Sequence, residues 1–431
     1  MNSLLLIKKF AERIPYSFSK ILVQIPFSWR LGSQYKKSRL EINQYKTEEA
    51  KLDYALFHFN NIFQYAKTFP FYNSLYSKNG VIDLKITSID DILKIPIISK
   101  EDIRSHFDYF KGSMRVNTGG TTGSPMSLYL DKNAFAREWA HMHTIWETKG
   151  YNQKLVKLTL RGKNLGNKLF AYNPIHNEFV FNTYIDIKDR ISEITDLIET
   201  KKIGYIHGYP SAIYDFFKVL EDVASDEQIA IVRKWVKVCL MGSEFPHKYI
   251  KDYLNTLWEL EFVSWYGHTE MCILAHDENN DNKYVPFHTY GYAEVVDGCL
   301  IGTSFHNFDM PLIRYDTGDK ASGVYFDNGL LKDFSITEGR SGDFVLDRVG
   351  KKIPLTALIF GRHHRVFDYI QHIQVKQVEQ GKAEIYISSN SKIDLDKAKL
   401  DMDLTNVDMD FEFKYIKEPI KSLSGKLKLK I

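Results

Sequence analysis

The residues best suited to chemistry lie in Thr118-Gly119-Gly120-Thr121-Thr122-Gly123-Ser124-Pro125, where three glycines and four hydroxyl side chains fall within eight positions. Glycine lets successive backbone N–H groups turn inward, and such a concavity binds anions. The hydroxyls add donors that can follow a moving phosphate. The same composition also makes an ordinary polar turn, so the stretch needs company to mean more. Company is present: His207-Gly208-Tyr209-Pro210-Ser211, Gly242-Ser243-Glu244 and Trp265-Tyr266-Gly267-His268-Thr269-Glu270 each gather glycine, hydroxyl, acid or aromatic residues. Two acid-bearing turns follow, Arg314-Tyr315-Asp316-Thr317-Gly318-Asp319 and Gly339-Arg340-Ser341-Gly342-Asp343. The chain closes on Ser422-Leu423-Ser424-Gly425-Lys426-Leu427-Lys428.

The elements that must position these groups follow from periodicity. Leu52, Leu56, Phe59, Ile62, Phe63 and Ala66 recur at helical spacing, which predicts an amphipathic helix between Lys46 and Phe69. Ile95 to Arg104 reads as an extended entry into a helix capped by Ser99. After the glycine-rich stretch come a short strand, Ser127–Leu130, and a helix from Asn133 to Thr148. Strands at Val156–Leu160, Ile203–Ile206, Val236–Leu240 and Leu260–Ser264 then alternate with helical patterns, among them Ile187–Thr200 and a helix reaching Leu220. That alternation predicts an α/β fold with a largely parallel sheet, whose ligands sit at the C-terminal strand ends. The polar clusters fall at those ends. Tyr292–Ser304 turns β-rich, and a strand pair is expected near Ile373–Val378 and Ala383–Ser388. The predicted architecture is a large domain, 1–338, of mixed, largely parallel sheets flanked by helices plus a β-rich subdomain. A small α/β domain, 339–431, follows a glycine-containing joint near Gly339–Gly342.

Composition narrows the class. Hydrophobic residues make up 44% and charged residues 26%, which suits a globular chain. A net charge of +3 argues against nucleic acid as an obligate partner. Cys239, Cys272 and Cys299 have neither disulfide nor zinc spacing, and a reducing, cytoplasmic setting is expected. His276 and His288 near Cys272 are too scattered to suggest a metal site. His141 and His143, in a Trp-rich helix, fit packing better than an acyl pocket. The segment 1–45 is basic and amphipathic: residues 1–39 hold eight Lys/Arg against the single acid Glu12. Packing on the body is the expectation there, with weak peripheral contact to the inner face of a membrane as the lesser reading.

Taken in order, these blocks resemble the adenylate-forming ligases, and more narrowly the phenylacetate–CoA ligase family with its CapK branch from capsular-polysaccharide gene clusters. The resemblance runs from about Ile95 to the C-terminus. Ile95-Pro96…Ser99-Lys100-Glu101-Asp102-Ile103-Arg104 is similar to the block preceding that family's phosphate loop, and Thr118 to Pro125 to the loop itself. Pro210-Ser211 and Gly242-Ser243-Glu244-Phe245-Pro246 resemble the blocks that build the nucleotide pocket. Tyr266 to Glu270 is similar to an aromatic-Gly-x-Thr-Glu signature. Pro311-Leu312-Ile313-Arg314-Tyr315-Asp316-Thr317-Gly318-Asp319 is the nearest match. Gly339-Arg340 resembles the hinge block, and Gly425-Lys426 the C-terminal lysine block.

The resemblance implies ATP-dependent activation of a small-molecule carboxylate through an acyl-adenylate, with pyrophosphate released, then acyl transfer to a thiol, CoA first. ATP, Mg2+ and CoA are the implied cofactors. Thr118, Gly119, Gly120, Thr121, Thr122, Gly123 and Ser124 would hold the β- and γ-phosphates. Gly242, Ser243, Glu244, Tyr266 and Gly267 would line the nucleotide pocket, with Tyr266 beside adenine. Thr269 would meet the α-phosphate and Glu270 would offer Mg2+ a hard oxygen. Asp319 would accept from both ribose hydroxyls, fixed by a Thr317-Gly318 turn. Arg340 would reach ribose or phosphate, whereas Arg314 suits a structural ion pair as well as a ligand contact. Lys426 would place its ammonium between the two reacting anions, and the C-terminal domain would rotate between half-reactions. Two departures stand out. Met126 occupies a position that is basic in many relatives, and Gly342 stands where many carry an acidic hinge residue. The stretch Gly350 to Leu355 also differs from the phenylacetate enzymes. An amine on an amino acid or sugar, a carrier thiol or a hydroxyl therefore stay open as acceptors, and so does a non-catalytic nucleotide-binding scaffold.

Overall fold

The computed structural model describes residues 23–117, 126–161, 165–183, 185, 187–338, 344–350, 352–359, 364–370, 372–389, 392–402, 404, 407–421 and 428–431. The glycine-rich stretch 118–125, the expected joint at 339–343 with Arg340 and Gly342, and 422–427 with Lys426 lie outside them. So does the N-terminal part of the basic segment, residues 1–22.

Strands β1 (Met114–Asn117) and β2 (Ser127–Leu130) form an antiparallel pair in register from Met114↔Leu130 to Asn117↔Ser127. The glycine-rich stretch thus connects two strands with a defined ladder. Leu128 and Leu130 alternate inward along β2, the period-2 pattern of a half-buried strand. Met126, just before it, is buried in the same core. The Met126 side chain is therefore packing material.

Among the described residues one sheet holds β3 (Lys157–Leu160), β4 (Phe170–Asn173), β5 (Glu178–Phe181), β6 (Tyr205–Gly208), β7 (Val238–Met241), β8 (Glu261–Gly267), β9 (Leu274–Asp277), β10 (Lys283–Pro286), β11 (Gly291–Val296), β12 (Cys299–Ser304), β13 (Tyr315–Tyr325) and β14 (Leu331–Glu338). Its order is β11-β12-β13-β14-β10-β9-β8-β7-β6-β3-β5-β4. Strands β5, β3, β6, β7 and β8 run parallel. From β8 to β11 every pairing is antiparallel. The expected parallel sheet and β-rich subdomain are thus two halves of one continuous sheet. The parallel strands β3, β6 and β7 are buried along their whole length, as strands covered on both faces must be. One face packs on the helices Ile191–Lys201, Pro210–Val223 and Lys248–Trp258. The helix Ala134–Glu147 covers the other through Met142, Ile145 and Trp146.

The antiparallel half curls. Between β8 and β13 lie β9, β10 and β14, a span of roughly 19 Å in a flat sheet at about 4.8 Å per strand. Yet Tyr266 on β8 hydrogen-bonds Asp319 on β13 at 2.6 Å. Closure on that scale needs a strongly coiled sheet. Tyr266, Tyr284 and Phe334 fill the curve, with ring centroids 5.3 to 6.2 Å apart.

Several sequence expectations are shifted. The first helix runs Glu48–Ala66 with Thr47 as its cap. Ile187–Thr200 resolves into a short 3-10 turn, Lys188–Arg190, and a helix, Ile191–Lys201. Strand β8 extends to Gly267, so Trp265 and Tyr266 sit within it rather than after it. The turn expected at Thr317-Gly318 is instead a bulge inside β13. Cys299 to Ile301 on β12 faces Lys320 to Asp316 on β13, so three residues oppose five. Gly318 takes φ +78 there, and a bulge absorbs the extra residues without ending the strand. Helices Asp226–Trp235 and Lys248–Trp258 and the strands β4 and β5 were not expected.

After residue 343, β17 (His372–Glu379) pairs antiparallel with β18 (Lys382–Ser388), which pairs parallel with β19 (Asp410–Ile416); β15 (Phe344–Leu346) and β16 (Lys352–Pro354) form a separate pair. Val345, Leu358, Ile359, Val375, Ile385, Ile387 and Ala398 belong to a core of their own. At the other end, the described part of the basic segment packs on the body. Phe27 is buried, Arg30 donates to the Ile175 carbonyl at 2.7 Å, and Arg39 donates to Thr144 at 2.5 Å. Among the described residues no helix is long and apolar enough to cross a membrane.

Candidate active site

The C-terminal ends of the parallel strands bring the middle blocks together. Strand β3 leads into Arg161, β6 into Tyr209, β7 into Gly242-Ser243-Glu244, and β8 into His268-Thr269-Glu270. At Gly242 a Cβ would stand 2.2 Å from the Trp265 ring, so no side chain fits. Ser243 follows in the left-handed region at φ +69, an uncommon conformation for a non-glycine residue. That turn presents its hydroxyl to Arg161, whose Nη2 donates to Ser243 Oγ at 3.0 Å. Glu244 supports the scaffold, because the Ser211 N–H donates to its carboxylate at 3.2 Å, at the start of the helix Pro210–Val223. An acid there satisfies an orphan donor and faces the positive end of the helix dipole.

Two hydrogen bonds lace the Tyr266–Glu270 block to the Arg314–Asp319 block. The Tyr266 hydroxyl donates to Asp319 Oδ2 at 2.6 Å, and the Tyr315 hydroxyl donates to Glu270 Oε1 at 3.3 Å. Glu270 is buried, and its Oε2 lies 3.0 Å from His268 Nδ1. A carboxylate can only accept, so Nδ1 carries the hydrogen, and in the neutral ring Nε2 is an acceptor. Asp319 is also buried, and its N–H bonds Thr317 Oγ1 at 3.2 Å. Thr269 and Gly267 are exposed at the strand end.

Arg314 resolves to the structural alternative. It is buried at φ +49, and its guanidinium grips both oxygens of Glu294, at 2.7 and 3.1 Å. Nη1 also donates to the carbonyls of Leu93 and Ile95. It thereby ties the Ile95–Ser99 block, itself bridged to β13 by Ile98↔Tyr315, to β11. Ser99 caps the next helix through a reciprocal box with Asp102.

The histidines of the Trp-rich helix are packed. His141 Nδ1 meets the Arg137 carbonyl and its Nε2 meets Thr289 Oγ1; burial pushes its pKa down to about 4. His143 bonds Tyr35. Three groups near the strand ends do not stand out in the sequence: Glu138, Arg161 and Tyr290. The Tyr290 hydroxyl donates to Glu138 Oε2 across 152 residues of chain, which no spacing rule would expose. Arg161, by contrast, directly follows a readable strand and was findable by the strand-end rule used for the others.

A concavity of about 430 Å3 lined by Lys37, Asp131, Arg137 and Asp309 lies at the base of the β1–β2 pair, away from these strand ends. Asp215 of the helix Pro210–Val223 accepts from His372 on β17, with the Lys421 ammonium 3.5 Å away. Burial pushes the Asp215 carboxyl up, but the His372 and Lys421 charges outweigh it and hold it below its ordinary value. The buried Gln374 amide donates to the carbonyls of Ile420 and Lys428, each at 2.8 Å, and accepts from the Ile420 N–H at 2.7 Å. One side chain thus fixes both ends of the segment that contains Lys426.

No protein-family model matches the chain. Protein CapK of Staphylococcus aureus is 22% identical over 361 residues, which cover 78% of each chain. Among solved structures, 2-hydroxyisobutyryl-CoA ligase in the postadenylation state superposes with a TM-score of 0.62 in complex with R3-HIB-AMP and 0.60 in complex with 2-HIB-AMP. Each covers 89% of both chains at 14% identity. The chain therefore has the fold of 2-hydroxyisobutyryl-CoA ligase, with a sequence similar to CapK over most of its length.

Proposed function

We propose that this protein activates a carboxylic acid with ATP, forming an acyl-adenylate and releasing pyrophosphate, and then transfers the acyl group to a thiol, CoA first. The observation that carries the reading is the Tyr266–Asp319 hydrogen bond at 2.6 Å. It unites an aromatic that can lie beside adenine with a buried carboxylate that can accept from ribose hydroxyls, at the rim of the parallel strands. The fold neighbour's name, a CoA ligase, supports CoA as acceptor.

In this reading the substrate carboxylate attacks the α-phosphorus of ATP and the bond to the bridging oxygen breaks, leaving pyrophosphate. Positioning and charge stabilisation do most of the work. The backbone and hydroxyls of Thr118 to Ser124 hold the β- and γ-phosphates, and the exposed Thr269 hydroxyl meets the α-phosphate. Glu270 suits Mg2+, which commonly binds one or two carboxylates together with substrate phosphates, because its buried carboxylate sets hard oxygens beside the Thr269 hydroxyl at the strand end. Arg340 reaches ribose or phosphate. Lys426 neutralises both anions as they meet. It follows Lys421 by five residues, a tether of roughly 17 Å at full extension, and Lys421 is held at Asp215, on the helix that starts beside Glu244. Residues 339–431 act as the mobile unit.

Pyrophosphate–ATP exchange across aromatic, aliphatic and amino acids tests the proposal. Exchange that depends on one acid and disappears in Lys426→Ala supports it. ATP binding with no exchange under any acid would leave only a nucleotide-binding scaffold.

A further inference from the structure

Glu138 has no part in gripping the nucleotide, yet it lies beside the candidate site. It lies one helical turn before Met142, on the stripe of the helix Ala134–Glu147 that packs against Val263, Leu274, Tyr290, Trp265 and Met271. It is partly buried. Its Oε2 accepts from the Tyr290 hydroxyl, and no partner among the described residues takes Oε1. His268 and Arg161, both at strand ends, are close enough for their charges to act on it. Burial pushes its carboxyl pKa up, and burial together with Glu138 pushes that of Tyr290 up. At the end of β8 lies a second polar atom without a partner. The His268 side chain is 4% exposed, its Nδ1 is committed to Glu270, and its Nε2 is buried with no partner.

A hydrocarbon acyl chain beside these groups would strip water from Glu138 Oε1 and leave His268 Nε2 unpaired, the most costly way to bury a polar atom. A chain bearing an N–H or O–H would satisfy them. We propose that the site selects carboxylic acids whose acyl chain carries a hydrogen-bond donor, an amine or a hydroxyl, read by Glu138 Oε1 and His268 Nε2. The inference rests on the adenylation reading and narrows its substrate class. Sites that hydrogen-bond a substrate group discriminate strongly against the analogue lacking it, because their own polar atoms are then left unpaired.

The test uses sets of three acids of matched size, short aliphatic and phenyl-sized, differing only in a methyl or ring hydrogen, a hydroxyl or an ammonium. Pyrophosphate–ATP exchange should favour the donor-bearing members by about tenfold or more in kcat/KM. Glu138→Gln should cut the ammonium acids about tenfold or more and the hydroxy acids less, since an amide oxygen still accepts. Glu138→Leu should bring the hydrocarbon member level with the others. A wild-type preference for hydrocarbon acids, or an unchanged ranking in Glu138→Gln, overturns the proposal. Calorimetric titration of the same acids into protein saturated with a non-hydrolysable ATP analogue separates the two readings. If no acid supports exchange, adenylation fails as the function. Donor-selective binding lost in Glu138→Gln would still uphold the pocket, whereas equal binding, or none, would end it.

Discussion

The Arg314–Glu294 pair ties the start of β13 to β11, and replacing Arg314 separates scaffold from ligand contact. Both side chains are buried, and the guanidinium also serves the carbonyls of Leu93 and Ile95. Arg314→Met keeps the aliphatic bulk and the same backbone cost at φ +49, so the change isolates the charge. It leaves Glu294 as a buried carboxylate without its cation, and breaking such pairs costs about 3–5 kcal/mol. Against a typical total of roughly 5–15 kcal/mol that is a large fraction. Restoring neutrality with Glu294→Leu in the same chain should recover about 2 kcal/mol or more, because contacting residues couple on that scale. Burial raises the Glu294 carboxyl even with Arg314 present, and without it the rise grows. The folded state then holds its proton more tightly than the unfolded one, so the deficit of Arg314→Met should shrink as pH falls from about 7 towards about 5. Urea unfolding of the two single variants and the double, at both pH values, gives the cycle. ATP affinity of the folded fraction, by calorimetry, should stay within about threefold of wild type, the span of a change below ~1 kcal/mol. A variant of unchanged stability that has lost ATP affinity would refute the scaffold assignment, as would a double no more stable than the single.

Three further expectations are sharp enough to fail. Asp319→Ala should weaken ATP binding more than Lys426→Ala, since ribose contacts act in the ground state and the ammonium acts as charge develops; equal losses by calorimetry would contradict that division. Gln374→Leu, which frees both ends of the Lys426 segment, should lower kcat for exchange about tenfold or more, on the order of 1.4 kcal/mol, with the ATP dissociation constant nearly unchanged. A lost ATP affinity with kcat intact would say the amide serves elsewhere. His141 stays neutral in the fold with a pKa of about 4, against 6.5 when free. The unfolded state therefore binds more protons between those values, and His141 contributes stability above about pH 6.5 that is lost as pH falls towards about 4, roughly 3 kcal/mol at most. His141→Gln should flatten that acid limb in chemical denaturation, and an identical slope would rule the group out as its source.

The blocks that carry the proposed function are legible because each is local. Gly242-Ser243-Glu244 and Tyr266–Glu270 follow readable strands, and a parallel sheet sends all such ends to one edge. Features that depend on local period came through within a few residues, as the Ser99 capping box and the Glu48–Ala66 helix show. The bulge at Gly318 reads as a turn in sequence because glycine, Asp and Thr favour both, and only the register with β12 distinguishes them.

What the order of residues settled alone was the class of fold and the neighbourhoods where polar chemistry would gather, since hydrophobic period and glycine placement act over a handful of positions. Tertiary structure decided which of those groups face each other. The curl of the antiparallel strands brings Tyr266 onto Asp319, assigns Arg314 to Glu294 rather than to a ligand, and sets Tyr290 against Glu138. Those pairings depend on how far a sheet coils and how a helix crosses it, which many distant side chains fix together and no short window of sequence contains.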